Sequence, residues 1–296
     1  MSIKFSVTAY KKLRQDDFRI LNAIERGMSQ YMYVPIKEIS RLSSISLDKV
    51  EIILKKLNYL GLVQRQKRAY IGYILTSRGY DCLAIHTLVK RNVLNSISST
   101  TIGTGKEAEV YIGMTPGNVK VAVKIHRAGR TSFRQIKIKR SYVGDRKHVS
   151  WLYESRLAAS NEYKALSILY PKGVSVPMPI DWNRHIVVTE FIEAIELSCV
   201  PELPNPASTF EVIIENIKKA ALLGVIHGDI SEYNILISEK GPVIFDWPQW
   251  VSKNHPSALM LFRRDIANIA KFFRRKYNLK INIEKLLDEA EKWLMT

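Results

Sequence analysis

Residues 224–247 read GVIHGDISEYNILISEKGPVIFDW, a short polar knot set between two apolar runs. His227, Asp229, Asn234 and Asp246 crowd together between segments with the character of buried core. Asp229 and Asn234 stand five residues apart on one tight loop, and Asp246 follows the apolar strand PVIF, seventeen residues after Asp229. This is the H-x-D-x-x-x-x-N spacing, then a strand and an Asp, that phosphoryl transfer from ATP employs. Such transfer rests on positioning and charge neutralisation, so it needs a carboxylate to orient the acceptor and oxygen ligands to hold Mg²⁺ (or Mn²⁺) against the phosphates. Asp229 fits the base or orienter, and Asn234 and Asp246 fit the metal ligands. His227 reads as packing that supports the loop rather than as a general base.

Upstream, GTGKEAEV at 103–110 fails the P-loop pattern: Thr100 replaces its first glycine, and Glu107 follows Lys106 where Ser or Thr is required. A strand pattern follows it, which fits dinucleotide binding only loosely. What remains is a glycine hairpin in which Gly103 and Gly105, with Lys106 and Glu107 beside them, let backbone N–H groups approach phosphates; a plain β-turn is the alternative. In the next strand Val119, Val121, Val123 and Ile125 alternate with Lys120, Ala122 and Lys124, so Lys124 shares a face with the hairpin and can reach phosphates. Such a lysine must be held by a carboxylate. Glu162, in LAASNEYKAL, is the choice, against the alternative of a solvated helical charge.

The first ninety residues have a different pattern. Phe18, Leu21 and Ile24, then Ile36, Ile39 and Leu42, then Leu47, Val50, Ile53, Leu54, Leu57 and Leu60 mark three short amphipathic helices. Two β-like runs around Lys67-Arg68 and a helix from about Arg78 to Lys90 follow. That order predicts a winged helix-turn-helix, with Lys49, Lys55, Lys56, Arg65, Lys67 and Arg68 as candidate nucleic-acid contacts. SISSTT, 96–101, reads as the junction to the rest, and Ser208 to Glu211 reads as a capping box opening a helix.

A formal net charge of +17 favours a polyanionic partner such as nucleic acid. Nine of the Lys and Arg residues fall from Lys124 to Lys147, against the single acid Asp145, in a stretch read as a loop that carries Ser132 and Ser141. No stretch approaches the ~18 apolar residues of a membrane helix. Cys82 and Cys199 lack metal spacing and read as reduced structural thiols, and a cytoplasmic protein is expected.

IGTGKEAEVYIG, VAVKIHRAGRTSFR, VSWLYESRLAASNEY, VIHGDISEYNIL, IFDWPQ and RRDIANIAKFFRRKY together resemble the RIO family of atypical protein kinases, Rio2 subfamily, over nearly the whole chain. The resemblance implies an α+β fold class: a winged helix-turn-helix at 1–91, then a trimmed two-lobed kinase-like fold at 92–296, its N-lobe about 92–189 and C-lobe about 193–296. It implies ATP and Mg²⁺ as ligands, adenine contacts from the backbone of Glu190 and Ile192, no peptide-binding activation segment, and autophosphorylation on serine, with Ser132 and Ser141 as candidates. It further implies transient phosphate acceptance at Asp246, and action on small ribosomal subunit precursors and their rRNA, with no membrane partner. Ala108 departs from the family's usual Ser and Trp247 from its usual Phe, and the short C-terminus is similar to archaeal members.

Two alternatives compete. Small-molecule phosphotransferases of the aminoglycoside-kinase type share the H-G-D-x-x-x-x-N pattern, but they usually insert a helical region where Asp229 here follows only 39 residues after Glu190. A non-catalytic ATP-sensing nucleic-acid binder would bind without turnover.

Overall fold

The computed structural model describes residues 3–67, 70–105, 107–127 and 151–295. Arg68, Lys106 and the basic stretch with Ser132 and Ser141 lie outside the described residues. The chain forms two compact units, Met1–Arg156 with Asn183–Ile186, and Leu157–Trp182 with Val187–Thr296.

The first unit begins with helix α1 (Ile3–Tyr10), which apolar periodicity did not reveal. Helix α2 (Gln15–Gly27) carries Asp16 and Asp17 in its first turn, where they complement the helix dipole; the Arg14 N–H donates to the Asp17 carboxylate at 2.6 Å and closes that turn. Strand β1 (Val34–Pro35), α3 (Ile36–Ser43), α4 (Leu47–Tyr59), β2 (Val63–Lys67), β3 (Ile71–Leu75) and α5 (Ser77–Lys90) complete a winged helix. The wing is antiparallel in the order β1-β3-β2. Phe18, Leu21, Ile24, Ile39, Val50, Leu54 and Leu57 are buried as their spacing predicts. Each such side chain contributes roughly 1.5–3 kcal/mol. Leu47, at the start of α4, is 44% exposed and stays outside this core.

The Ser/Thr run is not a linker. Strand β4 (Ser96–Thr104) absorbs it, pairing antiparallel with β5 (Ala108–Met114), which pairs with β6 (Lys120–His126). Register shifts between Ile97 and Thr101, and again before Gly103, let an irregular, exposed strand follow its partner, and its threonines favour extended backbone. The link from α5 is Arg91–Asn95, with Asn92 at φ 58. Val119 is 61% exposed because it lies in the turn before β6, where its carbonyl accepts from the Thr115 N–H.

Buried charge organises this unit. Arg127 donates to both carboxylate oxygens of Asp81 at 2.6 and 3.0 Å and to Glu109 at 3.4 Å. His185 Nε2 lies 2.7 Å from Asp81, and the Ser6 hydroxyl donates to that carboxylate at 2.7 Å. Burial alone would raise the Asp81 pKa, but Arg127 and His185 outweigh it and hold the carboxyl below its usual range.

In the second unit, helix α6 (Trp151–Leu169), which begins within the first, stops at a 3₁₀ turn containing Pro171, followed by Gly173 at φ 72. Strands β7 (Pro179–Asn183), β8 (Ile186–Glu190) and β9 (Ala194–Glu196) lead to α7 (Pro206–Leu222). This helix begins two residues before the predicted capping box. Asn205 is its cap, accepting from the Ser208 N–H at 3.0 Å, and Pro206 occupies the first helical position, where no N–H is needed. Then come β10 (Val225–Ile226), β11 (Ile235–Ser238), β12 (Gly241–Ile244), β13 (Val251–Ser252), α8 (Ala258–Tyr277) and α9 (Ile283–Met295). One sheet has the order β12-β11-β9, and β10 pairs with β13. Ile213, Ile217, Ala221, Trp247, Phe262, Ile266, Ile269 and Phe273 share one core.

Cys82 is buried and Cys199 exposed, which corrects the reading of the second as a packed thiol. Among the described residues no helix is long and apolar enough to cross a membrane.

Candidate active site

The loop between β10 and β11 is held from beneath by α8. Asp265 is 1% exposed and accepts the Gly228 N–H at 2.7 Å and the Ile230 N–H at 2.9 Å, gripping the backbone on both sides of Asp229. Arg264 donates to the Gly228 carbonyl, and Asn268 donates to that of Ile230 at 3.1 Å. Gly228 adopts φ +79, a left-handed conformation that strains any residue with a side chain. Against this fixed backbone the Asp229 side chain remains 66% exposed. Burial pushes the Asp265 pKa up to about 7, opposed by the two N–H bonds and by Arg264.

Asn234 is buried and laces the loop together. Its Oδ1 accepts the Ser231 N–H at 3.0 Å and the Ser231 hydroxyl at 2.7 Å, while Nδ2 donates to the Asp229 carbonyl at 3.1 Å. Pairing of Ile235 with Ile244 and a Phe245 N–H bond to the Asn234 carbonyl at 3.0 Å bring the backbone of Asn234 beside the segment that carries Asp246. Asp246 has φ +68, a conformation that costs a non-glycine residue on the order of 1–3 kcal/mol and persists only where its surroundings impose it.

Those surroundings are visible. His227 Nε2 donates to the Phe245 carbonyl at 3.1 Å and packs 4.5 Å from the fully buried Trp247 ring, whose N–H donates to the Ile244 carbonyl at 3.0 Å. His227 therefore sits as a scaffold. Trp247 anchors the segment immediately after Asp246. Trp250 donates to the Asn161 carbonyl at 2.9 Å, so the segment after Asp246 is tied to α6 next to Glu162. Glu162 is 4% exposed and is not a solvated helical charge. The Glu190 N–H bonds to the Met178 carbonyl at 3.0 Å, and the Met178 N–H donates to the Glu190 carboxylate at 2.9 Å. These bonds commit the Glu190 amide within the chain, and Ile192 lies half-buried just beyond.

In the first unit, Gly103 pairs with Val110 and Val110 with Lys124, while Ala122 pairs with Ile112. Directly opposed residues share a face, so Gly103, Ala122 and Lys124 lie together as the alternation predicts. A Cβ at Gly103 would meet Val110 at 3.9 Å, and one at Gly105 would meet the Ala108 carbonyl at 3.7 Å, both ordinary contacts. Nothing in the described chain requires glycine at either position. The Gly105 N–H, however, closes the turn on the Ala108 carbonyl at 2.9 Å, so it is not a donor to a phosphate, which corrects that part of the hairpin reading. Glu107 is exposed, and its carbonyl accepts the Arg127 N–H at 2.6 Å.

The Asp246 carboxylate and the Asn234 amide oxygen are hard-oxygen donors of the kind that suit Mg²⁺, which ordinarily keeps waters and phosphate oxygens as its other ligands. The residues fit the implied metal. Spacing missed Asp265, Arg264 and Asn268, yet a signal was present: Asp265 interrupts the apolar periodicity of Phe262, Ile266 and Ile269, where solvation cannot explain a charge. Of the candidate nucleic-acid contacts, Lys49 pairs with Asp16 at 2.6 Å and Lys56 with Asp17 at 2.5 Å, while Lys55, Arg65 and Lys67 are exposed.

Comparison with known proteins places these features. A RIO domain model matches residues 109–286, and a Rio2 N-terminal model matches residues 10–91. The chain is 40% identical over 275 residues to the RIO-type serine/threonine-protein kinase Rio2 of Methanocaldococcus jannaschii, covering 90% of this chain and 100% of that one. It is 39% identical over 277 residues to the serine/threonine-protein kinase rio2 of Dictyostelium discoideum, covering 93% of this chain but only 53% of that longer protein. The solved Rio2 kinase-ADP/Mg²⁺-phosphoaspartate complex from Chaetomium thermophilum matches with a TM-score of 0.82 and 36% identity, over 93% of this chain and 84% of that one. The chain belongs to the RIO family of serine/threonine-protein kinases, in its Rio2 branch.

Proposed function

We propose that this protein transfers the γ-phosphoryl group of ATP, as an atypical serine kinase and ATPase, and that it acts in maturation of the small ribosomal subunit. The observation that carries the chemistry is the rigid hold on Asp229, Asn234 and Asp246 by Asp265, His227 and the paired strands β11 and β12. Positioning of this kind is what phosphoryl transfer asks of a protein. Bound Mg²⁺ supplies neutralisation of the phosphate oxygens. Asn234 would hold the metal through its Oδ1, the atom that here accepts from the Ser231 N–H and hydroxyl. Lys124 and the glycine hairpin receive phosphates, and the Glu190 carbonyl and Ile192 N–H take the adenine edge.

Two acceptors suit this arrangement. An Asp246 carboxylate oxygen attacks the γ-phosphorus, the bond to the ADP oxygen breaks, and ADP leaves; water then attacks the acyl phosphate, Asp229 takes a proton, and inorganic phosphate departs. Alternatively a serine hydroxyl attacks while Asp229 takes its proton. The Rio2-type N-terminal domain favours a macromolecular partner over a small-molecule acceptor. The net charge of +17 and the exposed Lys55, Arg65 and Lys67 support rRNA within a small-subunit precursor as that partner.

The test is single-turnover phosphate release from γ-labelled ATP with Mg²⁺, with and without purified small-subunit precursors. Stimulation by the precursors is expected. ATP consumption that the precursors leave unchanged removes the ribosomal role.

A further inference from the structure

Two adjoining cavities of about 480 and about 280 Å³ open on the winged-helix domain and share Gln15, Phe18, His86 and Lys90. Their walls come from the end of α1, the turn after it, α2 and α5, and no residue of α4 or the wing lines them. Every charged residue lining them is a cation: Lys11, Arg14, Arg19, Lys90 and Arg91. Arg19 is engaged by Asp16 and the Ser43 carbonyl, but Lys11, Arg14 and Lys90 rise from exposed positions around the opening.

The floor is aromatic. His86 stacks on Phe18 with ring centroids 3.6 Å apart and planes 7° from parallel, and the Tyr10 ring tilts beside it at 6.2 Å. Arg184 stiffens one wall, donating to Asn22 at 3.0 Å and Thr87 at 3.3 Å. A rigid aromatic surface beside cations, with no carboxylate among the lining residues, suits a ligand that joins a flat ring to a phosphate.

We propose that this cavity binds a nucleotide unit, its base against the His86–Tyr10 pair and its phosphate between Lys11 and Lys90. The unit belongs to an RNA strand or to a free nucleotide. The site is separate from the groove-reading helix expected of a winged helix and from the ATP-handling residues. The local field is consistent with it: burial, together with the charges of Lys90 and Arg184, holds His86 below the ordinary histidine range, and an arriving phosphate would offset the two cations.

The experiment follows the ring resonances of His86 in the full chain by NMR, assigned with His86→Gln, during titration with AMP and with a ten-nucleotide oligouridylate. Reading the signal at His86 separates this site from any ATP site. The oligouridylate is expected to shift the His86 resonances and raise its pKa. The Lys11→Glu/Lys90→Glu double variant is expected to weaken binding about tenfold or more and to flatten the slope of log affinity against log salt by about 1.4, two contacts at ~0.7 each. Lys55→Glu should leave the His86 response intact. If AMP reproduces the shift, the ligand is a free nucleotide; if only the oligonucleotide does, it is a strand. The proposal is overturned if neither probe moves His86, or if an Asp/Glu-rich peptide moves it as far as the oligonucleotide, which would make the cavity a dock for acidic protein.

Discussion

Asp265 shows what a single buried carboxylate does for a loop that must hold another one exposed. By accepting N–H bonds from Gly228 and Ile230 it fixes the backbone around Asp229 while taking no position at the reacting atoms itself. Its raised pKa has a measurable consequence. With an ordinary value of 3.8 and a folded value of about 7, Asp265 holds a proton in the native state that it releases on unfolding across that window. The stability it confers is therefore full below the ordinary value and is lost as pH rises through about 7. Urea midpoints of wild type and Asp265→Asn between those two pH values test this: the stability difference should change across the window, and a constant difference contradicts it. Gly228 gives a second prediction. Gly228→Ala places a methyl on a residue at φ +79 and should cost about 1–2 kcal/mol, with turnover falling further than ATP affinity, because the strain lies beside Asp229 and not at the adenine contacts. Equal losses in kcat and in affinity would show that the strain spreads through the unit. That Asn234 closes the loop carrying Asp229 and lies beside the segment carrying Asp246 was legible, because their spacing along the chain implies it. Asp265 was not, because it lies 35 and 37 residues beyond the amides it holds, and only its contradiction of an apolar pattern marks it.

At the scale of elements, local signals were reliable where one side of a segment faces a core and failed where a tertiary partner decides. The amphipathic helices of the winged domain and the Lys124 strand followed from periodicity. Residues 96–101 look like a linker by composition, but β5 supplies a ladder that makes them strand. Asn205 rather than Ser208 caps α7, since Pro206 already prefers the first helical turn. The Asp81–Arg127–His185 network escaped entirely: its partners are 46 and 104 residues apart, beyond any periodic window. It joins α5 to the end of β6 and to the turn before β8. Arg127→Met takes the guanidinium from the buried Asp81, leaving it His185 and the Ser6 hydroxyl alone, and should destabilise the first unit by about 3–5 kcal/mol. Asp81→Asn/Arg127→Met should cost less than the sum of the single changes. Chemical denaturation of the four proteins measures this, and simple additivity would show that the two groups do not depend on one another.

Across the whole molecule, the excess of positive charge is the property most easily over-read. The fold consumes part of it, since Lys49 and Lys56 neutralise Asp16 and Asp17 on α2. Arg65→Glu/Lys67→Glu should therefore weaken RNA binding and flatten its salt dependence by about 1.4, whereas Lys49→Ala should change binding little. Binding isotherms at several salt concentrations decide the matter, and equal effects from both sets would mean that the ion pairs do not hold Lys49 from the ligand. The central claim concerns Asp246, and one measurement reaches it directly: a single-turnover reaction with γ-labelled ATP and Mg²⁺, quenched in acid and split between hydroxylamine and buffer, for wild type and Asp246→Asn. Wild type should carry protein-bound label that hydroxylamine releases, as an acyl phosphate does, and Asp246→Asn should carry none and release no phosphate. Undiminished phosphate release from Asp246→Asn would contradict the account.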